Sequence, residues 1–162
     1  MGRVALVTGG SRGIGESICR MLKQEGYPVV ANYGGTDEKA QAFSEDSGIP
    51  VYKFDVDCLS ACEEAVARIE EEVGPIEVLV NNAGITRDGT MHKMSYEPSY
   101  NVVRTNLGSC FYVSRCVING MRERDFGPIV NIGSMNGQAG QYGQVNYPVA
   151  KSGIHGFTKA LA

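Results

Sequence analysis

The run Val4-Ala-Leu-Val-Thr-Gly-Gly-Ser-Arg-Gly-Ile-Gly15 decides the fold. Its first four residues are apolar, which is typical of a strand buried on both faces. The glycines that follow predict a tight turn, and from Ile14 to Leu22 apolar residues recur at helical spacing. A strand, a glycine-rich turn and a helix open a dinucleotide-binding unit, in which the backbone approaches a pyrophosphate at the helix N-terminus.

Outward from this unit, short apolar runs alternate with amphipathic segments. The runs predict four more strands, over residues 28–33, 51–56, 76–80 and 128–133. The segments between them predict helices over 36–47, over 59–73 and from Pro98 to Met121, and a last helix begins between 145 and 147. This alternation predicts an α/β fold, a doubly wound parallel sheet of Rossmann type in three αβα layers. We expect residues 1–162 to form a single domain.

The composition limits the possible partners and locations. A net charge of -3 gives no reason to expect a nucleic acid or an anionic membrane as a partner. No apolar run approaches the roughly 20 residues that span a bilayer. The first residues lead straight into the motif, so we expect no signal peptide. Five cysteines without CxxC spacing predict buried or half-buried free thiols and no metal site. We therefore expect a cytoplasmic protein.

The end of the second predicted strand bears on the choice between NAD and NADP. A carboxylate at this position holds the ribose 2′-hydroxyl and repels a 2′-phosphate. The chain has Asn32-Tyr-Gly-Gly35 there, with no acid before Asp37. Arg12, inside the glycine-rich turn, is in reach of a 2′-phosphate, and the alternative is a solvated loop charge. The sequence favours NADP(H).

Tyr147 and Lys151 form the clearest candidate for chemistry. They stand four residues apart at the head of the last helix, so their side chains share one face. An ammonium group beside a phenol favours the phenolate and makes the phenol a better acid. Ser134 follows the fifth predicted strand, which we expect to be buried. A hydroxyl donor and an acid around one reacting oxygen suit a carbonyl reaction that depends on a cofactor.

Two other strand ends carry polar or small residues. Asp55 lies at the tip of the third strand, on the side where an adenine is expected. Asn81-Asn-Ala-Gly84 follows the fourth strand, and its amides can join neighbouring strand ends by hydrogen bonds. Asn106 lies in an apolar helix and needs a buried partner. Either it caps a carbonyl structurally or it serves the reaction.

Together these motifs resemble the short-chain dehydrogenase/reductase family. They are Thr8-Gly-Gly-Ser-Arg-Gly-Ile-Gly15, Asn81-Asn-Ala-Gly84, Asn106, Ser134 and Tyr147-x-x-x-Lys151, in the family's order and spacing. The resemblance covers essentially the whole chain. It implies NADP(H) as the cofactor and a 3-oxoacyl thioester as the substrate, with acetoacetyl-CoA favoured and an acyl-carrier-protein thioester as the alternative. It also implies a homo-oligomer, commonly a tetramer.

The resemblance also implies roles for particular residues. Tyr147 is the implied general acid, Ser134 orients the carbonyl, Lys151 binds ribose and tunes the phenol, and Asn106 holds a water of the proton relay. The implied cofactor-binding residues are Gly9, Ser11, Arg12, Gly13, Ile14, Tyr33, Asp55, Val56, Asn82, Ala83, Gly84, Tyr147 and Lys151. The implied substrate-binding residues are Asp88, Ser134, Gln141, Gln144 and Tyr147.

The sequence departs from the family pattern at its end. The chain stops at Ala162, inside the predicted helix of Tyr147 and Lys151, without a Gly, Asn or Pro stop signal. The family continues with a sixth strand, a substrate-covering segment and a seventh strand. We therefore expect a truncated form that lacks the last strands. The alternative to an active reductase is an inactive nucleotide-binding or subunit-interaction remnant.

Overall fold

One parallel sheet runs through the molecule, for which the computed structural model describes residues 2–162. Its strands are β1 (Val4–Val7), β2 (Val29–Tyr33), β3 (Val51–Lys53), β4 (Ile76–Asn81) and β5 (Ile129–Asn131). Their order is β3-β2-β1-β4-β5, and each neighbouring pair is parallel. The winding direction reverses between β1 and β4, which opens a crevice at the carboxyl ends of these strands. The predicted doubly wound parallel sheet is confirmed.

Helices cover both faces of the sheet and complete the three predicted layers. The helices are α1 (Gly13–Gln24) and α2 (Asp37–Ser47) on one face, and α3 (Leu59–Glu72) and α5 (Ser109–Glu123) on the other. Leu6 packs in the core under α3 and α5, whereas its neighbour Val7 packs with Cys19 and Phe43 in the core under α1 and α2. Successive residues of β1 thus point to opposite faces, so both must be apolar.

The segment predicted as a helix from Pro98 to Met121 has three parts. They are α4 (Tyr96–Val103), a π-helical turn (Arg104–Gly108) and α5, and a 3₁₀ turn (Met91–Lys93) precedes them. The helix begins two residues before Pro98, which lies in the first turn, where its missing N–H has no intrahelical partner to lose. Within residues 2–162, no helix is both long enough and apolar enough to cross a membrane.

The last two elements bring the predicted catalytic pair to the sheet. A short helix, α6 (Asn136–Ala139), precedes α7 (Asn146–Leu161), which begins where the sequence predicts. Ala150 and Ile154 of α7 are fully buried, and the helix packs on α4 and the π-helical turn. This packing fixes the helix face that carries Tyr147 and Lys151.

Two strand predictions are wrong in their extent. β3 ends at Lys53 instead of residue 56, because the carboxylate of Asp55 accepts a hydrogen bond from the Asp57 N–H (3.1 Å) and turns the chain. β5 spans three residues instead of 128–133. The prediction that it is buried is also wrong, since within residues 2–162 it pairs with β4 alone and Val130 is 47% exposed.

The cysteines agree with the sequence except at one position. All five are free thiols; Cys19, Cys62 and Cys110 are buried, and Cys116 is half-buried. Burial raises the pKa of Cys19 and Cys62 to about 12. Cys58, predicted to be buried or half-buried, is exposed because it lies in the loop just before α3. In the described residues, no three His, Cys, Asp or Glu side chains gather as a metal site.

Candidate active site

The carboxyl ends of β1 and β4 are joined by a compact set of hydrogen bonds. The buried Thr8 hydroxyl accepts from the backbone N–H groups of Asn82 (2.9 Å) and Ala83 (3.0 Å). In return the Asn82 amide donates to the carbonyls of Thr8 (2.9 Å) and Gly9 (3.2 Å). The prediction that asparagine joins strand ends here is confirmed. Thr8 has an equal part in the joint, which we call the Thr8–Asn82 joint.

The glycine-rich turn is held from its other side by Asn32, for which the sequence predicted no role in the turn. The Asn32 side chain accepts from the Gly9 N–H (3.1 Å) and donates to the Phe54 carbonyl (2.9 Å). Gly15 packs so closely that a Cβ there would lie 2.6 Å from the Asn82 amide nitrogen and would clash with the Gly9 carbonyl. Only glycine fits at this contact between helix and strand. A buried asparagine at the end of a strand was the signal for Asn32.

A first cavity of about 530 Å³ lies over the ends of β1, β2 and β3. Its lining includes these predicted cofactor residues: Gly9, Ser11, Arg12, Tyr33, Asp55, Val56, Ala83 and Gly84. It also includes Lys39 and Thr105, which the sequence analysis missed. Neither Arg12 nor Lys39 has an acidic partner within 4 Å in residues 2–162. The cavity therefore presents two cations without acidic partners, and its lining also includes Asp55 and Asp57.

A second cavity, of about 390 Å³, continues the first toward β5 and α7. Arg12, Gly84 and Ile85 line both, so the two form one cleft. The predicted residues in the second part are Ile14, Asn82, Tyr147 and Lys151. The structure thus brings the glycine-rich turn and the Tyr–Lys pair, more than 130 residues apart in sequence, to one space.

Lys151 is the buried member of the Tyr–Lys pair. It is 4% exposed, and its ammonium donates to the Ile132 carbonyl, just past β5, at 2.6 Å. The same nitrogen lies 5.7 Å from the centroid of the Tyr147 ring. Burial lowers the pKa of Lys151, because removal from water disfavours the ammonium form. The structure thus places a buried ammonium group over the ring of Tyr147.

Ser134 lies beside the second cavity without lining it, next to Gly133, which does line it. Its hydroxyl oxygen accepts a hydrogen bond from the Asn136 N–H (3.2 Å) at the start of α6. This contact occupies a lone pair and leaves the hydroxyl proton available to another acceptor. The geometry is compatible with a donor to a carbonyl oxygen.

Asn106 is fully buried within the π-helical turn, and both ends of its amide are occupied. Its oxygen accepts from the Ile85 N–H (2.7 Å) and its nitrogen donates to the Ile85 carbonyl (2.8 Å). The side chain therefore fixes the loop after β4, which is the structural alternative that its composition left open. A π-helical turn shifts main-chain carbonyls out of the regular ladder and is frequent at functional sites.

The predicted substrate residues form a chain of hydrogen bonds at the mouth of the cleft. Gln144 donates to Asp88 (2.9 Å) and accepts from Asn136 (3.0 Å). Gln141 is exposed and contributes its carbonyl, which accepts from the Gln144 N–H (3.1 Å). None of Asp88, Gln141 and Gln144 lines either cavity. The structure places them beside the cleft and does not bring their side chains into it.

The backbone and the charges of the cleft suit a dinucleotide. Gly13 adopts φ +55°, and the space where its Cβ would stand is empty to 4 Å, so a group can approach the start of α1. Arg12 lies directly before this helix, where free N–H groups and the helix dipole favour an anion.

Comparison with known proteins agrees with this architecture. Residues 3–162 match the family model described as short chain dehydrogenase. An acetoacetyl-CoA reductase of Rhizobium meliloti (strain 1021) is 59% identical, and one of Shinella zoogloeoides is 56% identical; each alignment covers the whole chain and 67% of the relative. A 3-oxoacyl-[acyl-carrier-protein] reductase of Vibrio harveyi is 38% identical over 99% of the chain and 66% of that protein.

The chain therefore belongs to the short-chain dehydrogenase family, and it is an oxidoreductase by class. The family resemblance drawn from the motifs is confirmed. The chain spans about two thirds of the length of the relatives it matches.

The helix–strand contact at Gly15 gives a prediction with an internal control. Gly15→Ala should lower the free energy of unfolding by about 3 kcal/mol, because its methyl group overlaps the Gly9 carbonyl and the Asn82 amide. Gly156→Ala, on the exposed part of α7 where the added methyl meets nothing within 4 Å, should raise it by up to about 1 kcal/mol through helix propensity. Urea unfolding measures both. Equal effects of the two substitutions would contradict the account of the turn.

Proposed function

We propose that the chain carries the catalytic centre of an NADPH-dependent reductase of 3-oxoacyl thioesters, with acetoacetyl-CoA as the favoured substrate. The observation that supports this most is the single cleft lined at one end by the glycine-rich turn and at the other by Tyr147 and Lys151. The relatives at 56–59% identity are acetoacetyl-CoA reductases. A thioester on acyl carrier protein is the second candidate, because a reductase of that kind is 38% identical.

The cofactor would lie along this cleft. Gly9, Ser11, Gly13 and Ile14 would hold its pyrophosphate and Arg12 its 2′-phosphate, while Asp55 and Val56 would meet the adenine and the loop from Asn82 to Gly84 the riboses. Bound NADPH supplies a hydride to the C3 carbonyl carbon of the substrate. The chain's own task is to orient the reactants, to stabilise charge at the carbonyl oxygen and to deliver a proton.

Tyr147 and Ser134 act on that oxygen. As negative charge develops there, both hydroxyls donate hydrogen bonds to it, and Tyr147 transfers its proton. The Asn136 N–H keeps the Ser134 oxygen oriented, since it occupies one of its lone pairs. Lys151 stabilises the resulting phenolate by its charge, held near the ring by the Ile132 carbonyl.

Asn106 would supply part of the route by which Tyr147 regains the proton that it gives to the substrate. Its amide is bound to the Ile85 backbone, so the water that it holds would bind to its main-chain carbonyl. The Asn106 carbonyl accepts a hydrogen bond from the Cys110 thiol (3.5 Å). Because it lies in a π-helical turn, this carbonyl can accept from a second donor as well. A water there would connect Lys151 with solvent.

The preference for NADP(H) would come from charge in the part of the first cavity beside the end of β2, which we call the ribose end. Arg12 and Lys39 both line it and are free of acidic partners in the described chain, and the end of β2 offers no carboxylate to a 2′-hydroxyl. A 2′-phosphate placed between two cations gains charge-assisted hydrogen bonds that a hydroxyl cannot match.

We further propose self-association through α5 and α7. Phe111 on α5 and Val149 on α7 are 54% and 57% exposed. Large apolar side chains that stay exposed are typical of a surface that another protein covers.

The acid role of Tyr147 can be tested against a second tyrosine of the same chain. Tyr147→Phe should lower kcat by about 10²- to 10⁴-fold, because it removes the proton donor, whereas the Kd for NADPH should rise by no more than about tenfold, the loss of one hydrogen bond. Tyr142→Phe, at a site that is 87% exposed, should leave both unchanged. Steady-state reduction of acetoacetyl-CoA and NADPH fluorescence measure these values. Ordinary turnover by the Tyr147 variant would contradict the role.

The cofactor preference has a separate test. Arg12→Glu should weaken NADPH binding by at least about tenfold, because it removes a charged donor and adds a repelling acid, with NADH changed by less than about threefold. Lys39→Ala should have the same selectivity with a smaller loss. Lys159→Ala, on the exposed end of α7, is the matched control. Equal losses for NADPH and NADH in the Arg12 variant would rule out 2′-phosphate recognition.

A further inference from the structure

A three-residue cluster stands on the outer rim of the ribose end. The Asp37 carboxylate accepts hydrogen bonds from the Lys53 ammonium (2.7 Å) and from the Tyr33 hydroxyl (3.2 Å). Asp37 is the first residue of α2, Tyr33 the last of β2 and Lys53 the last of β3. The cluster therefore joins three elements at one corner of the cleft.

The position of the Asp37 carboxylate matters because Asp37 is the first acid after β2. Thr36 and Lys39, on either side of it in sequence, line the first cavity, and so does Tyr33, whereas Asp37 does not. An acid at this end of the cleft favours a ribose hydroxyl and repels a 2′-phosphate. Turned inward, this carboxylate would also compete for Lys39. The bonds to Lys53 and Tyr33 keep it outside.

We propose that Lys53 is a positioning residue for cofactor choice, which holds the Asp37 carboxylate outside the ribose end, where Arg12 and Lys39 line the cavity without an acidic partner. This inference rests on the proposed use of NADP(H). It assigns part of the preference to a residue that does not line the cleft, and it gives a role to an acid that would otherwise oppose NADPH.

The charges of the cluster support the arrangement. Hydrogen bonding by Lys53, and then by Tyr33, lowers the pKa of Asp37, and the bond to Asp37 raises the pKa of Lys53. Both groups are therefore ionised at neutral pH. The side chains of Lys53 and Asp37 are 54% and 67% exposed, so the pair adds little to folding stability. The effect that we propose for the Lys53–Asp37 pair is to fix the position of the Asp37 carboxylate.

The rival explanation is that Lys53 attracts the 2′-phosphate by its own charge. A double-mutant cycle separates the two, since Lys53 can act through Asp37 only while the acid is present. The four proteins are the unmodified chain, Lys53→Met, Asp37→Asn and the double variant. Fluorescence titration with NADPH and with NADH gives both dissociation constants for each, and the ratio of the two constants is the preference.

Lys53→Met should weaken NADPH about fivefold, on the scale of coupling between neighbouring side chains, and leave NADH within about twofold. In the Asp37→Asn background the same substitution should change the preference by less than about twofold. Lys53→Arg, which keeps a donor for Asp37, should retain the preference of the unmodified chain. Thermal midpoints of all variants show that each is folded.

If the unmodified chain prefers NADPH, two results would overturn the role of Lys53 and leave the proposed function intact. One is an unchanged preference in Lys53→Met. The other is an equal loss in the presence and absence of Asp37, which would assign the effect to the charge of Lys53 itself. Failure of the unmodified chain to bind either nucleotide would overturn the proposed function and this inference with it.

Discussion

The hydroxyl of Thr8 holds the site together. It accepts hydrogen bonds from two backbone N–H groups of the loop after β4. The Asn82 amide donates two hydrogen bonds to the turn after β1. The winding of the sheet reverses between β1 and β4, so the Thr8–Asn82 joint fixes the two sides of the cleft to each other. Buried backbone groups need such partners, and a fully satisfied network of this kind is rigid. The joint also positions the glycine-rich turn, the close contact of Gly15 and the end of the cleft that we propose holds the adenosine.

The proposed catalytic end of the cleft depends on the same loop from its other side. Asn106 fixes the loop at Ile85, the Asn146 amide fixes it at the Arg87 carbonyl (2.9 Å), and the Gly89 N–H binds the Gly143 carbonyl (2.7 Å). The loop after β4 is thus tied to the π-helical turn and to the approach to α7. Lys151 in turn ties α7 to the end of β5. Tyr147 stands between two anchored segments, which is the preorganisation that electrostatic catalysis needs.

The sequence was sufficient to predict the sheet, the layers and most of the cleft. The burial of β1 on both faces requires an apolar run, and the turn after it requires glycines, so both features are visible in the sequence. It failed for β3 and β5. The turn at Asp55 cannot be told from a continuing strand by hydropathy, and the burial of Val130 depends on neighbours that the run itself does not specify. The roles of Lys39 and Asn32 were missed because they arise from tertiary placement. The predicted substrate contacts of Gln141 and Gln144 remain predictions, since these residues stand at the mouth of the cleft.

The central claim is that one cleft joins a cofactor end to a working Tyr–Lys centre. Its most direct test is to mix the purified 162-residue chain with NADPH and acetoacetyl-CoA and to follow the absorbance of the reduced nicotinamide while the acyl-CoA product is identified. We predict steady consumption of NADPH with formation of 3-hydroxybutyryl-CoA. Binding of NADPH without any consumption would contradict it and would leave a nucleotide-binding chain that performs no reduction.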